Sequence, residues 1–136
     1  MSSIWPVLHY DDATTALRFL VEVFGFHEVL AVTDEDGDIA HAEVSWPGGG
    51  CLVFGSTKHT DSVHGAMKSG ASAVYVITGD VDAVHNRVLR AGDATVVRAP
   101  NNTQFGSGAD TYAFTAADPE GNLWTFGTYT GTRRGL

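Results

Sequence analysis

Two histidines and a glutamate have the residue types and the spacing that acid–base or metal chemistry requires. His41 and Glu43 are two residues apart in a stretch predicted to be a strand, so their side chains point to the same face. His9 lies in the first predicted strand and has the same parity as Trp5. His9, His41 and Glu43 are therefore candidates for an acid–base pair or a metal-binding triad.

An ordinary half-exposed strand accounts for the same pattern. Such a strand alternates between a polar and an apolar face. The mainly polar set is Ile39, His41, Glu43 and Ser45, and the inward-packing set is Ala40, Ala42, Val44 and Trp46. Both interpretations remain open. The remaining histidines are interpreted as solvated side chains: His27, His59, His64 and His85.

The composition bounds the class of protein. The chain has 136 residues, 43% of them hydrophobic and 18% charged, which is typical of one globular domain over residues 1–136. Its net charge of −8 argues against nucleic acid as a partner. One cysteine, Cys51, excludes an internal disulfide. No apolar run approaches the ~18 residues of a membrane span, and no signal peptide opens the sequence. We expect a soluble, cytoplasmic protein with no membrane partner.

The elements that must position these residues occur twice. Module one, about residues 1–56, reads as strand 4–10, a helix capped by Asp11 or Asp12 and ended by Gly25, and strands 26–32, 39–46 and 51–54. A polar linker over 57–70 follows. Module two, about 71–130, reads as strand 73–78, a helix from Asp80 to Gly92, strand 94–98, a loop over 100–108 and a terminal hairpin. Each module is therefore predicted to be β-α-β-β-β.

The terminal hairpin carries the most specific motif. Its turn is Asp118-Pro119-Glu120-Gly121-Asn122, in which proline fixes φ and glycine accepts a positive φ. The strand after it, residues 121–127, has a weaker copy 72 positions earlier at residues 49–55, and both copies end in Phe-Gly. A tandem βαβββ pair with this turn resembles the vicinal oxygen chelate superfamily of glyoxalases, bleomycin-resistance proteins and extradiol dioxygenases. The segments at 5–12 and 41–43 resemble its glyoxalase-like or PhnB-like branch.

The resemblance implies an α+β fold, in which tandem βαβββ modules form a curved mixed sheet with helices on the outer face. It also implies a cleft over the concave face and a homodimer, sometimes formed by exchange of modules. In metal-using members, side chains of the first and last strands of the modules bind the ion. The equivalent positions here hold Trp5, Val74 and Thr125, and an additional position holds Val53. These residues offer no suitable ligand set, so we expect no metal and no other cofactor.

A cleft with this lining suits a flat or apolar organic molecule that is held by contact area and stacking. The predicted ligand-binding residues, including the tip of the 100–108 loop, are Trp5, Val7, His9, His41, Val53, Val74, Val76, Phe105 and Thr125. The leading hypothesis is a metal-free small-molecule binding protein for an aromatic or cationic compound, of the drug-binding or resistance type. The alternatives are a lyase, isomerase or dioxygenase that uses His9, His41 and Glu43, and an interaction module whose cleft side chains fill a collapsed core.

Overall fold

A computed structural model describes residues 3–104, 106 and 108–131 of the chain. Module one comprises β1 (Val7–Tyr10), α1 (Ala13–Phe19), a π-helical turn (Leu20–Phe24), β2 (His27–Thr33), β3 (Ile39–Ser45) and β4 (Cys51–Ser56). Module two comprises β5 (Ala73–Ile77), α2 (Val81–Ala91), β6 (Thr95–Gln104), β7 (Asp110–Ala117) and β8 (Leu123–Gly127). The predicted α+β fold with two βαβββ units is confirmed.

The two modules form two four-stranded sheets of identical design. The first sheet has the order β1-β4-β3-β2 and the second has the order β5-β8-β7-β6. In each sheet the first strand pairs parallel with the last strand of its module, and the other pairs are antiparallel. This matching order is the structural counterpart of the repeat in the sequence.

The helices begin and end at residues that the sequence marks. The Asp12 carboxylate accepts hydrogen bonds from the backbone N–H and the hydroxyl of Thr15, at 3.1 and 2.7 Å, so Asp12 rather than Asp11 caps α1. At the other end, Gly25 and Phe26 both donate to the carbonyl of Leu20, which gives the last turn its π geometry. No helix of the described residues is long and apolar enough to cross a bilayer.

One core joins the two sheets through the helices. Helix α1 contacts β1, β3 and β4 of the first sheet, and α2 contacts β6, β7 and β8 of the second. Phe24, at the end of the π-helical turn, is fully buried and contacts the rings of Trp124 and Phe126 on β8. Each sheet therefore has its helix on one face, and in a single chain these helix-bearing faces turn toward each other. The opposite face of each sheet carries no helix and points away from the core. From here on, we call these two helix-free faces the outer faces.

The hairpin turn of module two attaches β1 to the rest of the fold. Its buried Asp118 carboxylate accepts hydrogen bonds from Tyr10 Oη at 2.7 Å, from Trp124 Nε1 at 3.0 Å and from the backbone of Asn122 at 3.0 Å. Glu120 accepts from the backbone N–H groups that precede α1, at 2.7 and 2.9 Å. These contacts fix the strand that carries two of the predicted site residues, Val7 and His9.

One predicted loop is partly a strand. Residues 100–104, assigned from the sequence to the 100–108 loop, continue β6 as far as Gln104. Pro100 is tolerated because β6 is an edge strand and because the register shifts between Arg98 and Asn101. Phe105, predicted to be an apolar tip over the cleft, lies outside the described residues.

Candidate ligand-binding face

The outer face of the first sheet brings together five of the predicted site residues. They are Trp5, Val7, His9, His41 and Val53. Strand pairing aligns Leu30 with Glu43, Glu43 with Val53 and Val53 with Val7, which makes one row across all four strands. The next row begins with Val32 beside His41 and ends with Gly55 beside His9.

This outer face is markedly apolar and open. The exposed fractions are 44% for Trp5, 42% for Val7, 44% for Leu30 and 45% for Val32. Large hydrophobic side chains clustered on one exposed face are typical of an interaction or ligand-binding surface. The sequence prediction omitted Leu30 and Val32, because an apolar residue in a strand is ordinarily assigned to the core.

His41 and Glu43 form a hydrogen-bonded pair within this face. His41 Nε2 lies 2.8 Å from Glu43 Oε2, and the two side chains are 44% and 23% exposed. The shared strand face predicted from their spacing is therefore present, and the two side chains are close enough to act together. His41 on β3 and Gly55 on β4 are cross-strand neighbours, because each lies one residue beyond the Ala42–Phe54 pair.

Gly55 lies between His41 and His9 in this row, and the β3 backbone packs closely against it. A Cβ atom at this position would lie 2.7 Å from the backbone carbonyl oxygen of Ala40, so any side chain here would displace β3. Since strands lie about 4.8 Å apart, the backbones of His9 and His41 are separated by roughly 10 Å, with only glycine between them. That separation keeps the imidazole of His9 out of the His41–Glu43 pair.

His9 instead contacts the linker between the modules. Its ring centroid is 5.2 Å from that of His64, which the sequence suggested was a solvated side chain. Burial lowers the pKa of His9, and the neighbouring His64 lowers it further. The linker is tied to the β2–β3 loop by His59 and Asp34, whose side chains are 2.9 Å apart, and by Lys58 and Asp38 at 3.3 Å. The linker therefore borders one edge of the outer face.

The predicted residues of module two do not share this surface. Thr125 lies on the outer face of the second sheet, where it is paired with Tyr75 on one side and Thr115 on the other. Val74 and Val76 lie on the opposite, helix-bearing face, with Val76 buried in the core and Val74 packed against it. Tyr75, and not Val74, is therefore the β5 residue that shares a face with Thr125. Burial raises the pKa of its hydroxyl, which donates to the carbonyl of Tyr129.

Val74 and Val76 line a different concavity. A groove of about 810 Å³ lies between the modules, with walls from β5, α2 and the β3–β4 turn. Trp46, Phe26 and Trp124 contribute aromatic surface to it, and Arg87 lies at its side. The Arg87 guanidinium donates to the carbonyls of Val23 and Phe24, at 2.7 and 3.0 Å, so its hydrogen bonds serve the end of the π-helical turn.

The positions at which the family resemblance implies metal ligands do not form a ligand set here. Trp5 and Val53 are on one outer face, Thr125 is on the other, and Val74 faces the helices. The Thr125 hydroxyl is 2.8 Å from that of Thr115. Over the described part of the chain, no three His, Cys, Asp or Glu side chains are arranged to hold a metal ion. The side chains present therefore do not fit a metal centre at these positions.

The fold and the sequence define the family. The chain belongs to the Glyoxalase/Bleomycin resistance protein/Dioxygenase superfamily, which it matches over residues 5–126. Among solved structures it is similar to TioX from Micromonospora sp. ML1, with 30% identity, a TM-score of 0.75 and coverage of 95% of this chain and 100% of that one. It is similar to TnmS3, an antibiotic binding protein from Streptomyces sp. CB03234, with 25% identity, a TM-score of 0.68 and coverage of 93% and 94%. It is also 32% identical over 130 residues to the uncharacterized protein Mb0911c of Mycobacterium bovis, covering 90% of this chain and 80% of that protein.

Proposed function

We propose that this protein is a metal-free, cytoplasmic small-molecule binding protein that takes an aromatic or cationic organic compound. The observation that carries the proposal is the open apolar outer face of the first sheet, with its His41–Glu43 pair. Burying one apolar side chain against a ligand contributes about 2 kcal/mol. A few such contacts suffice for micromolar binding, about 8 kcal/mol, after the entropy of association is subtracted.

The binding site is completed by a second copy of the chain. The outer faces of the two sheets point away from each other, so one chain does not enclose a cleft over either of them. In a homodimer, the outer face of the first sheet lies opposite that of the partner's second sheet. The edge strands β1 and β5 support this arrangement because neither contains Lys, Arg, Asp, Glu or Pro, the residues that ordinarily protect an edge from pairing.

The similarity to an antibiotic binding protein supports a drug-binding role. TnmS3 shares the fold over nearly the full length of both chains. The net charge of −8 additionally favours the approach of cations over that of anions.

A thermal-shift screen tests the proposal. Aromatic and cationic compounds are tested against the unmodified protein, against Val7→Lys, which places a charge on the outer face, and against Ala83→Trp, which obstructs the groove between the modules. We expect stabilisation that is lost in Val7→Lys and retained in Ala83→Trp, and a dimer mass by light scattering. Absence of stabilisation by every compound, or loss of it only in Ala83→Trp, would contradict the proposed site.

The His41–Glu43 hydrogen bond also favours a second candidate, a lyase, isomerase or dioxygenase. A histidine held by a carboxylate has the geometry of an oriented general base, and His9 lies on the far side of Gly55 in the same row. Metal analysis of the dialysed protein and turnover assays, each repeated on His41→Gln and Glu43→Gln, distinguish this enzyme from a binding protein. Turnover that depends on His41 would favour the enzyme.

A further inference from the structure

The hydrogen bond between Glu43 and His41 fixes which nitrogen of the imidazole carries the proton. An ionised carboxylate only accepts hydrogen bonds, so the Nε2 atom that lies 2.8 Å from Glu43 Oε2 bears a hydrogen. In the neutral ring the other nitrogen, Nδ1, then has a free lone pair. Within the described residues, Glu43 is the hydrogen-bond partner of this ring, and the side chain is 44% exposed. The outer face thus presents one oriented base.

The surroundings of this base are suited to a flat ring. Val32 is the cross-strand neighbour of His41, and Leu30 and Val53 flank Glu43. On the β4 side, Gly55 contributes no side chain that would cover the ring of His41. A ring that lies over this part of the outer face contacts apolar side chains and lies beside the imidazole of His41.

From this arrangement we propose that the ligands of the outer face are phenols, that is, aromatic compounds whose hydroxyl donates to Nδ1 of His41. This inference rests on the proposed function, whose site it specifies. A carboxylate ligand is disfavoured, because Glu43 and the net charge of −8 would repel it. A phenol is neutral on approach and brings the acidic proton that the base accepts.

The same pair promotes ionisation of the bound phenol. When the proton moves from the phenolic oxygen to Nδ1, the O–H bond breaks and an N–H bond forms. The resulting imidazolium keeps its hydrogen bond to Glu43, and the phenolate pairs with the imidazolium. No other reactant takes part in this transfer. Glu43 therefore acts as a positioning residue, and His41 is the group that touches the ligand.

The test uses two probes of nearly equal shape. para-Nitrophenol has the hydroxyl and absorbs visible light when ionised, whereas para-nitroanisole has a methoxy group in its place. Binding is measured by calorimetry and by absorption, at a pH just below the pKa of the free phenol. We expect the phenol to bind at least about tenfold more tightly than the anisole, as for a hydrogen bond to a charge-stabilised partner. We also expect its phenolate band to increase on binding.

Three variants assign the effect to the pair. His41→Phe should bind both probes equally and show no phenolate band. Glu43→Gln should reduce the phenolate band more than the affinity, because the imidazolium loses its carboxylate while the base remains. His27→Phe is the matched control, since His27 is exposed at the start of β2 and pairs with Ser45, far along β3 from His41. It should behave as the unmodified protein does.

The outcomes separate this inference from the proposed function. Equal affinity for the two probes, or discrimination that survives His41→Phe, would overturn the phenol assignment. So would loss of discrimination on addition of a chelator, which would assign the hydroxyl contact to a metal ion. Stabilisation by other aromatic compounds when neither probe binds would overturn the phenol assignment and leave the binding function intact. Failure of every aromatic and cationic compound to bind would overturn both.

Discussion

Tyr10 on the first strand of the first sheet donates a hydrogen bond to Asp118 in the last turn of the second sheet. Its Oη atom lies 2.7 Å from Asp118 Oδ2, and the two residues are 108 positions apart in the sequence. Burial, and then the charge of Asp118, raise the pKa of Tyr10 far above its ordinary range, so the hydroxyl remains the donor. Asp118 is a buried carboxylate that is satisfied by this bond together with those from Trp124 and Asn122.

Tyr10→Phe should lower the free energy of unfolding by about 1–3 kcal/mol, because a buried carboxylate loses one of its donors. Urea denaturation followed by tryptophan fluorescence measures the change. Tyr112→Phe is the matched control, since Tyr112 donates to Asp82 at the protein surface, and it should cost less than about 1 kcal/mol. Equal effects of the two substitutions would show that the Tyr10 bond contributes nothing beyond a surface contact.

Asp12→Ala should destabilise the protein by about 1 kcal/mol at neutral pH, as expected for loss of an N-cap. Hydrogen bonds from Thr15 lower the pKa of Asp12 in the folded state. Because the pKa of Asp12 is lower in the folded state than in the unfolded state, its ionised carboxylate stabilises the protein at pH values above the ordinary pKa of aspartate. This stabilisation is lost as the pH falls through the folded-state pKa. The difference between Asp12→Ala and the unmodified protein should therefore shrink below about pH 4. Denaturation at neutral pH and below about pH 4 measures this difference in stability, with the exposed Asp93→Ala as a control. A difference that does not depend on pH would contradict the role of the carboxylate.

Phe24→Leu tests whether the two sheets share one core. Phe24 contacts Phe19 on α1 and both Trp124 and Phe126 on β8. Loss of these ring contacts should cost about 1–3 kcal/mol, and thermal unfolding should remain a single transition at a lower midpoint. Leu89→Ala, on the exposed side of α2, should leave the midpoint nearly unchanged. Two separate transitions in either protein would show that the sheets unfold independently.

Zinc, nickel and manganese should leave the thermal midpoint unchanged, because Trp5, Val53, Val74 and Thr125 provide no ligand set. Thermal-shift measurements with and without each ion test this, and elemental analysis of dialysed protein provides an independent readout. Stoichiometric metal that survives dialysis and disappears in His41→Gln would contradict this prediction.

Much of the fold could be predicted because its determinants are local. Capping aspartates, terminating glycines and the period of apolar residues mark the helices and most strands within a few residues. The register of β5 could not be predicted in the same way. Residues 73–77 are Ala-Val-Tyr-Val-Ile, which has no polar alternation, so the sequence does not indicate which parity faces the helices. The sequence prediction named Val74 as a site residue, whereas Tyr75 is the β5 residue beside Thr125.

The site was harder to predict than the fold because it depends on contacts between distant segments. The spacing of His41 and Glu43 predicted a shared face, and that pair is present. The exposure of Leu30 and Val32 was not predicted, since it follows from β2 being an edge strand with no helix over its outer face. The division of the predicted residues among three surfaces follows from the way Phe24 and its neighbours join the two sheets, which no local pattern encodes.

The shared core has a consequence for how such a chain can be divided. Phe24 belongs to the first half by sequence, yet it is buried by aromatic rings of the second half. Arg87 in the second half likewise satisfies carbonyls of the first. An isolated half would expose these groups to water, so we expect that neither half folds alone. A chain cut within the linker should regain its structure only when both fragments are mixed.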